Sequence, residues 1–269
     1  MSSPEGLRLE EATKVFFPGT PNEVTALDSV NLVASAEDFI TIIGSNGAGK
    51  STLLNTISGT FLPDDGHVWL AGEDITAKPE YVRARAIGRV FQDPRAGTAP
   101  SMTIEENMAM ALLRCKPRRL RRGVTKRRRN LISEQLAPLE MGLEKRLNTE
   151  VSKLSGGQRQ ALSLLMATVA EPKLLLLDEH TAALDPKVAE TIMNLTGAIV
   201  QDKNLTTLMV THNMELALRW GNRLLMMHKG KIVLDVEREE KDTLTVPDLV
   251  QKFHDVAGES LAVDRMLLD

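Results

Sequence analysis

Short, dense apolar runs separated by polar turns fill the first third of the chain, at residues 7–9, 26–33, 39–43 and 67–71, and each has the length and composition of a β-strand. The run at 39–43 is almost continuous and ends on a glycine, the pattern of a parallel strand buried on both faces. Just beyond Ser51 the period changes: Leu53, Leu54 and Ile57 recur at helical spacing, so the segment reads strand, loop, helix. From about residue 94 to 151 the pattern is helical. Thr103 and Glu106 form a capping-box signature ahead of MAMALL, and Ile132, Leu136, Leu139 and Leu143 form an apolar stripe that Pro138 should end or kink. Two more apolar strands, 174–177 and 207–210, flank a helical segment at 186–200, the βαβ rhythm of a parallel sheet. MMHKGKIVL reads as a hairpin turning at Lys229 and Gly230, and residues 236–269 as a short tail, polar to amphipathic.

Composition narrows the class. A chain of 269 residues, 42% hydrophobic and only 3% aromatic, can bury a sizeable core and is neither disordered nor an aromatic-rich secreted scaffold. The single cysteine, Cys115, has no partner for a disulfide and no companions for a zinc site, which suits a reducing cytosolic setting. MSSPEGLRLEE lacks the basic and apolar regions of a signal peptide, and the most apolar long stretch, 161–177, is broken by Glu171, Pro172 and Lys173 before it could span a bilayer. The net charge of −3 conceals a segregated distribution. Residues 114–129 hold ten basic side chains and no acid, leaving 23 of the 33 basic residues against all 36 acidic ones elsewhere.

The candidate chemistry begins at GSNGAGKS. Gly44, Ser45, Asn46, Gly47, Ala48, Gly49, Lys50 and Ser51 match the phosphate-loop pattern and lie, as that pattern requires, between a strand and a helix, with Thr52 in the helix's first turn. The glycines let successive backbone N–H groups converge on a phosphate, and the helix adds its positive end. Lys50 reaches the terminal phosphates, while the Ser51 hydroxyl serves Mg²⁺. A second apolar strand, 174–177, then presents Asp178 and Glu179 at its end. Asp178 suits a metal, directly or through water; Glu179 suits polarisation of a water that attacks a γ-phosphate.

LSGGQ, residues 154–158, adds a second candidate anion site, since Ser155, Gly156, Gly157 and Gln158 open a helix running through Ala161, Leu165 and Val169. With this pentapeptide the chain resembles the nucleotide-binding subunit of an ABC transporter over residues 7–235. The resemblance implies an α/β fold: a P-loop NTPase, RecA-like core with an antiparallel β subdomain (together 7–93 and 165–235) and an inserted helical subdomain at 94–164. It implies ATP and Mg²⁺ as ligands and a homodimer that forms on ATP binding. On this resemblance Gln92 in VFQDP contacts the metal and the attacking water, Asp185 in AALDP crosses the dimer interface, and His212 in MVTHN contacts the γ-phosphate. Phe16 in TKVFF matches the aromatic that stacks on adenine, with Phe17 as the alternative. One departure stands out: His180 follows Glu179 where the family most often has proline, so the turn loses a φ restraint and gains a titratable group.

DEHTAALDP and VTHNMELALRWGNRL resemble a branch of stand-alone importer ATPases that work with a separate permease of the branched-chain amino-acid type and a solute-binding protein, in several cases for aromatic amino acids or related solutes. The resemblance places the chain on the cytoplasmic side of the membrane as a peripheral subunit. A non-transport ABC-type ATPase of DNA repair or translation is the alternative; the short stretch between Lys50 and Ser155 and the single cassette count against both versions. A scaffold that binds ATP without turnover is a third class, opposed by Glu179 and His212. For the basic run at 114–129, contact with anionic lipid and simple solvation stand equal, while nucleic acid is not expected because no aromatic residue interleaves the charges.

Overall fold

The computed structural model describes residues 5–116 and 123–257. Along the chain run β1 (Glu5–Phe16), β2 (Val24–Ser35), β3 (Phe39–Gly44), α1 (Lys50–Ser58), β4 (Asp65–Leu70), β5 (Glu73–Asp74), α2 (Glu80–Arg83) and β6 (Ile87–Val90). They are followed by α3 (Ile104–Leu113), α4 (Lys126–Leu136), α5 (Gly156–Thr168), β7 (Leu174–Asp178), α6 (Pro186–Asp202), β8 (Thr206–Val210) and α7 (Met214–Arg219). The last elements are β9 (Arg223–His228), β10 (Lys231–Glu237), α8 (Arg238–Lys241) and α9 (Val246–Ala257). The chain divides into two compact units, with breaks after Ala84 and after Asn204.

The first unit combines residues 5–84 with 205–257. Its antiparallel sheet has the order β2-β1-β4-β5. β1 is longer than its apolar run because it crosses a bulge: Glu11 has φ +51°, the pairing with β2 slips between Leu9 and Ala12, and the two glutamates interrupt the alternation that would have shown the strand. In the same unit β3 pairs in parallel with β8 on one side and with β9 on the other, and β9 and β10 form the expected hairpin. Lys229 and Gly230, at φ +46° and +78°, make the turn.

The tail is more built than its sequence suggested. In α9, Leu249 and Phe253 are buried against Met214 and Ala217 of α7 and against Leu224 and Met226 of β9. Their spacing of four places both on one helical face.

In the second unit β6 and β7 pair in parallel, Arg89 opposite Leu176. The stripe Ile132, Leu136, Leu139 and Leu143 is buried as expected, in a core shared with Ile104, Met108, Leu162 and Leu165. α4 stops at Leu136, and Pro138 sits in a 3₁₀ turn, Ala137–Leu139, that carries the stripe past the break. The capping box at Thr103 is present: its hydroxyl accepts from the Glu106 N–H, and the Glu106 carboxylate accepts from the Thr103 N–H at 2.8 Å.

Candidate functional site

In the first unit the end of β3 runs through 44–49 into α1. Gly44 has φ +150°, and a Cβ there would stand 2.3 Å from the Met227 carbonyl oxygen, so any side chain would push the loop off β9. The β9–β10 turn supports the loop from below: the Gly230 N–H donates to the Ala48 carbonyl at 3.0 Å, and the Gly230 carbonyl accepts from the Asp28 N–H at 3.0 Å. Lys50 is buried and bends back over the loop, donating to the Gly44 carbonyl at 2.6 Å and the Ser45 carbonyl at 3.0 Å. No side chain caps α1, whose N-cap is Gly49, so the amino end of the helix opens toward the loop. Ser51 is exposed and Thr52 half-buried.

Phe16 ends β1, and its ring is held edge-on by Phe61, centroids 5.3 Å apart, with the Lys14 ammonium 5.8 Å from the ring centroid. Phe17 is different. It is 66% exposed at φ +53° and opens a turn. His212 is exposed two residues past the end of β8, and the next residue, Asn213, caps α7 by accepting from the Leu216 N–H at 2.9 Å.

In the second unit the ends of β6 and β7 bring two polar pairs together. Gln92 Nε2 donates to Glu179 Oε2 at 3.3 Å, and Arg89 Nη2 lies 3.3 Å from Asp178 Oδ2. Glu179 holds φ +44°, an uncommon conformation for a residue with a side chain, and its carbonyl accepts from the Ala182 N–H at 3.0 Å to close the turn. His180 points inward. It is buried, its Nε2 lies 3.1 Å from the Thr196 hydroxyl oxygen, and that hydroxyl already donates to the Ile192 carbonyl at 2.8 Å. Nε2 therefore carries the proton and donates to Thr196. Burial pushes the imidazole down to about 4, so the added histidine is a neutral internal group and does not titrate near neutrality.

Ser155 caps α5 and forms a second capping box: its hydroxyl accepts from the Gln158 N–H and the Gln158 amide oxygen accepts from the Ser155 N–H, each at 3.2 Å. Gly156 is exposed, while a Cβ on the buried Gly157 would stand 2.5 Å from Val188 of α6. That glycine lets α5 pack closely on α6. Asp185 holds the N-cap place of α6, yet its exposed carboxylate makes no capping bond, so helix capping does not account for an aspartate there.

Of the basic run, Arg129 pairs with Glu105 at 2.7 Å and Arg114 donates to the Ala167 carbonyl at 3.3 Å, which turns two of its charges to internal use. Arg118, Arg119, Arg121 and Arg122 lie outside the described residues. Sequence reading missed Arg89, Phe61 and the hairpin support under the loop. For Arg89 a signal existed, a lone arginine inside the apolar run IGRVF.

Among the described residues no three His, Cys, Asp or Glu side chains cluster into a metal cage. The donors named from the sequence, Ser51 in the first unit and Gln92 and Asp178 in the second, offer oxygen ligands, the type that hard cations take.

A nucleotide-type phosphate loop, a strand-end carboxylate pair and a capped LSGGQ helix define an ATP-binding cassette, and comparison gives the family. Residues 27–182 match the ABC transporter family model, and the chain belongs to that family. It is 48% identical over 235 residues to the tyrosine transport ATP-binding protein of Clostridioides difficile, covering 87% of this chain and 92% of that one. An energy-coupling factor transporter ATP-binding protein of Clostridium tetani is 34% identical, covering 88% of this chain and 82% of its own length. A dimeric ATP-binding cassette solved in a post-hydrolysis state with ADP and Pi superposes with a TM-score of 0.75 at 29% identity, covering 86% of this chain and 98% of that one. The fold is therefore that of the ABC ATPases, and the chain is an ATP-binding, ATP-hydrolysing transporter subunit. These relatives support the transport reading against repair or translation.

Proposed function

We propose that the chain energises the import of an aromatic amino acid, or a closely similar small solute, as a homodimer docked on a separate membrane permease that a solute-binding protein supplies. The observation that carries this reading is the 48% identity to a tyrosine transport ATPase, which extends over 87% of the chain. The subunit is peripheral, on the cytoplasmic side; among the described residues no helix is long and apolar enough to cross a membrane. Residues 7–93 with 165–235 act as the nucleotide-binding core and β subdomain, and 94–164 as the helical subdomain.

The roles rest on the resemblance to the family together with the chemistry of each side chain. Phe16, whose ring Phe61 already orients, stacks on adenine. The backbone N–H groups of 44–52 bind the phosphates, and the Lys50 ammonium exchanges its carbonyl contacts for the terminal phosphates. Glu179 accepts the proton of the attacking water, and Gln92, 3.3 Å away, holds that carboxylate in line. His212 donates to the γ-phosphate. Ser155, Gly156, Gly157 and Gln158 meet the nucleotide of the second chain, with Asp185 at the interface. Ser51, Asp178 and Gln92 would hold Mg²⁺, which when bound spreads the developing charge over the phosphate oxygens.

The test is reconstitution of the chain with its genomically neighbouring permease in proteoliposomes containing ATP. Saturable uptake of labelled tyrosine, lost in Glu179→Gln, is expected. Hydrolysis without uptake of any aromatic amino acid would remove the substrate assignment while leaving the ATPase.

A further inference from the structure

The third residue of β6 is an arginine in a strand whose Ile87 and Val90 are buried. Its guanidinium lies 3.3 Å from the Asp178 carboxylate and 4.7 Å from the centroid of the Phe91 ring. The Arg89 and Asp178 side chains are only 13% and 16% exposed. Register explains the meeting: Arg89 pairs with Leu176 across the parallel ladder, and Asp178, two residues on, projects from the same face. An arginine removed from water is costly unless a partner offsets it, and the partner here is the carboxylate assigned above to the metal.

We propose that Arg89 is a positioning residue that serves Asp178 as a resident counter-cation: it holds the carboxylate in place and competes with a divalent cation for it, so that the metal binds tightly only together with nucleotide phosphates. The inference rests on the assignment of Asp178 as the metal-facing carboxylate. Two features support competition. A neighbouring opposite charge changes a carboxylate's affinity for another cation, the proton, by about tenfold or more, and a doubly charged ion meets at least as much repulsion from the guanidinium. Mg²⁺ also takes only one or two protein carboxylates where phosphates complete its shell, so a neutralised Asp178 offers little on its own and enough once ATP is bound. Because Phe91 flanks the guanidinium and Gln92 follows it, the same arginine links the metal carboxylate to the strand end that carries Gln92.

Mn²⁺ binding to the full chain, followed by the electron paramagnetic resonance of free Mn²⁺ without nucleotide and with ADP, tests this. Arg89→Met should bind Mn²⁺ about tenfold more tightly than wild type without nucleotide, whereas Arg89→Lys, which keeps the charge, should stay near wild type. Arg89→Gln, neutral but able to hydrogen-bond to Asp178, serves as a second neutral variant should the methionine form misfold, and should also bind more tightly. Neutral variants that match wild type in circular dichroism and in metal-free ADP affinity, yet bind Mn²⁺ no more tightly, overturn the proposal. Wild-type Mn²⁺ binding with ADP in Asp178→Asn overturns the metal assignment beneath it.

Discussion

Gln92 Nε2 lies 3.3 Å from Glu179 Oε2, so the amide that follows β6 already touches the carboxylate that follows β7. The two residues are 87 apart in sequence, and what joins them is the parallel pairing of β6 with β7, which brings the carboxyl ends of both strands to one place. Strand ends of this kind are where open α/β sheets bind ligands. Glu179 reaches Gln92 at φ +44°, a conformation that costs about 1–3 kcal/mol and persists where surrounding structure enforces it.

Replacing Glu179 with Gln keeps shape and hydrogen bonding but removes the base. ATP binding should persist and hydrolysis should fall by about 10²-fold or more, as for loss of a positioned proton acceptor. With ATP no longer consumed, sedimentation should show the variant shifting from monomer to dimer. A monomer at saturating ATP, with binding verified by titration, would refute the two-chain arrangement.

His212 and Phe16 should separate kinetically. His212→Ala removes a contact made as the γ-phosphate reacts, so kcat should fall by about 10²-fold with little change in ADP affinity. Phe16→Ala removes stacking present equally in ground and transition states, so KM should rise and ADP binding weaken at nearly constant kcat. Steady-state kinetics with ADP titration distinguish the two. Normal ADP binding in Phe16→Ala and weak binding in Phe17→Ala would move the platform to the exposed neighbour.

The parts of this molecule that were legible in the sequence are those encoded by contiguous residues. The loop at 44–51, the Thr103 box and the Lys229–Gly230 turn each depend on dihedral preferences and short side chains acting within a few positions, and each appears where its residues stand. What escaped depends on register between distant segments. Arg89 meets Asp178 only because Leu176 lies opposite it, and the length of β1 was hidden by a bulge that puts two glutamates out of step. His180 shows the same limit from another side: its type was plain in the sequence, but the burial that keeps it neutral and its Thr196 partner, 16 residues on in α6, belong to the folded chain.

The basic run divides two readings of one surface. If it meets lipid, changing Arg118, Arg119, Arg121 and Arg122 to Glu should weaken binding to vesicles rich in phosphatidylserine, and the wild-type binding should fall steeply with salt. Each basic residue near such a surface contributes about 1 kcal/mol, so four reversals should abolish measurable association. Equal vesicle flotation of variant and wild type would leave only a solvated charged segment.

His180 makes folding sensitive to acid. Burial lowers its pKa from 6.5 to about 4, so between those values the unfolded chain binds the proton that the folded chain refuses. Stability from this group is complete above about pH 6.5 and is lost as pH falls toward 4, by about 3 kcal/mol across the window. His180→Asn, which can still donate to Thr196 and does not titrate, should lose less stability than wild type between pH 7 and pH 4.5. Urea midpoints at the two pH values measure the difference, and identical losses would disprove it.

Lys241 gives the same sign in an alkaline window. It is buried at the end of α8, and its ammonium donates to the carbonyls of Trp220 and Gly221, just past the end of α7, the helix that starts beside His212. Burial lowers its pKa from 10.5 to about 8, so the unfolded chain binds more protons between these values and stability rises as pH climbs through them. Lys241→Met should therefore flatten the rise in unfolding temperature between pH 8 and pH 10.5, because the difference from wild type cancels the other lysines. The same change removes two part-buried hydrogen bonds from a charged donor and should lower stability at every pH by about 1–3 kcal/mol. Since α9 and the contact between Thr41 and the Ala217 carbonyl at 3.0 Å still hold α7, nucleotide affinity should stay near wild type. A variant as stable as wild type with an unchanged pH profile would mean that the lysine adds nothing to the anchoring of α7.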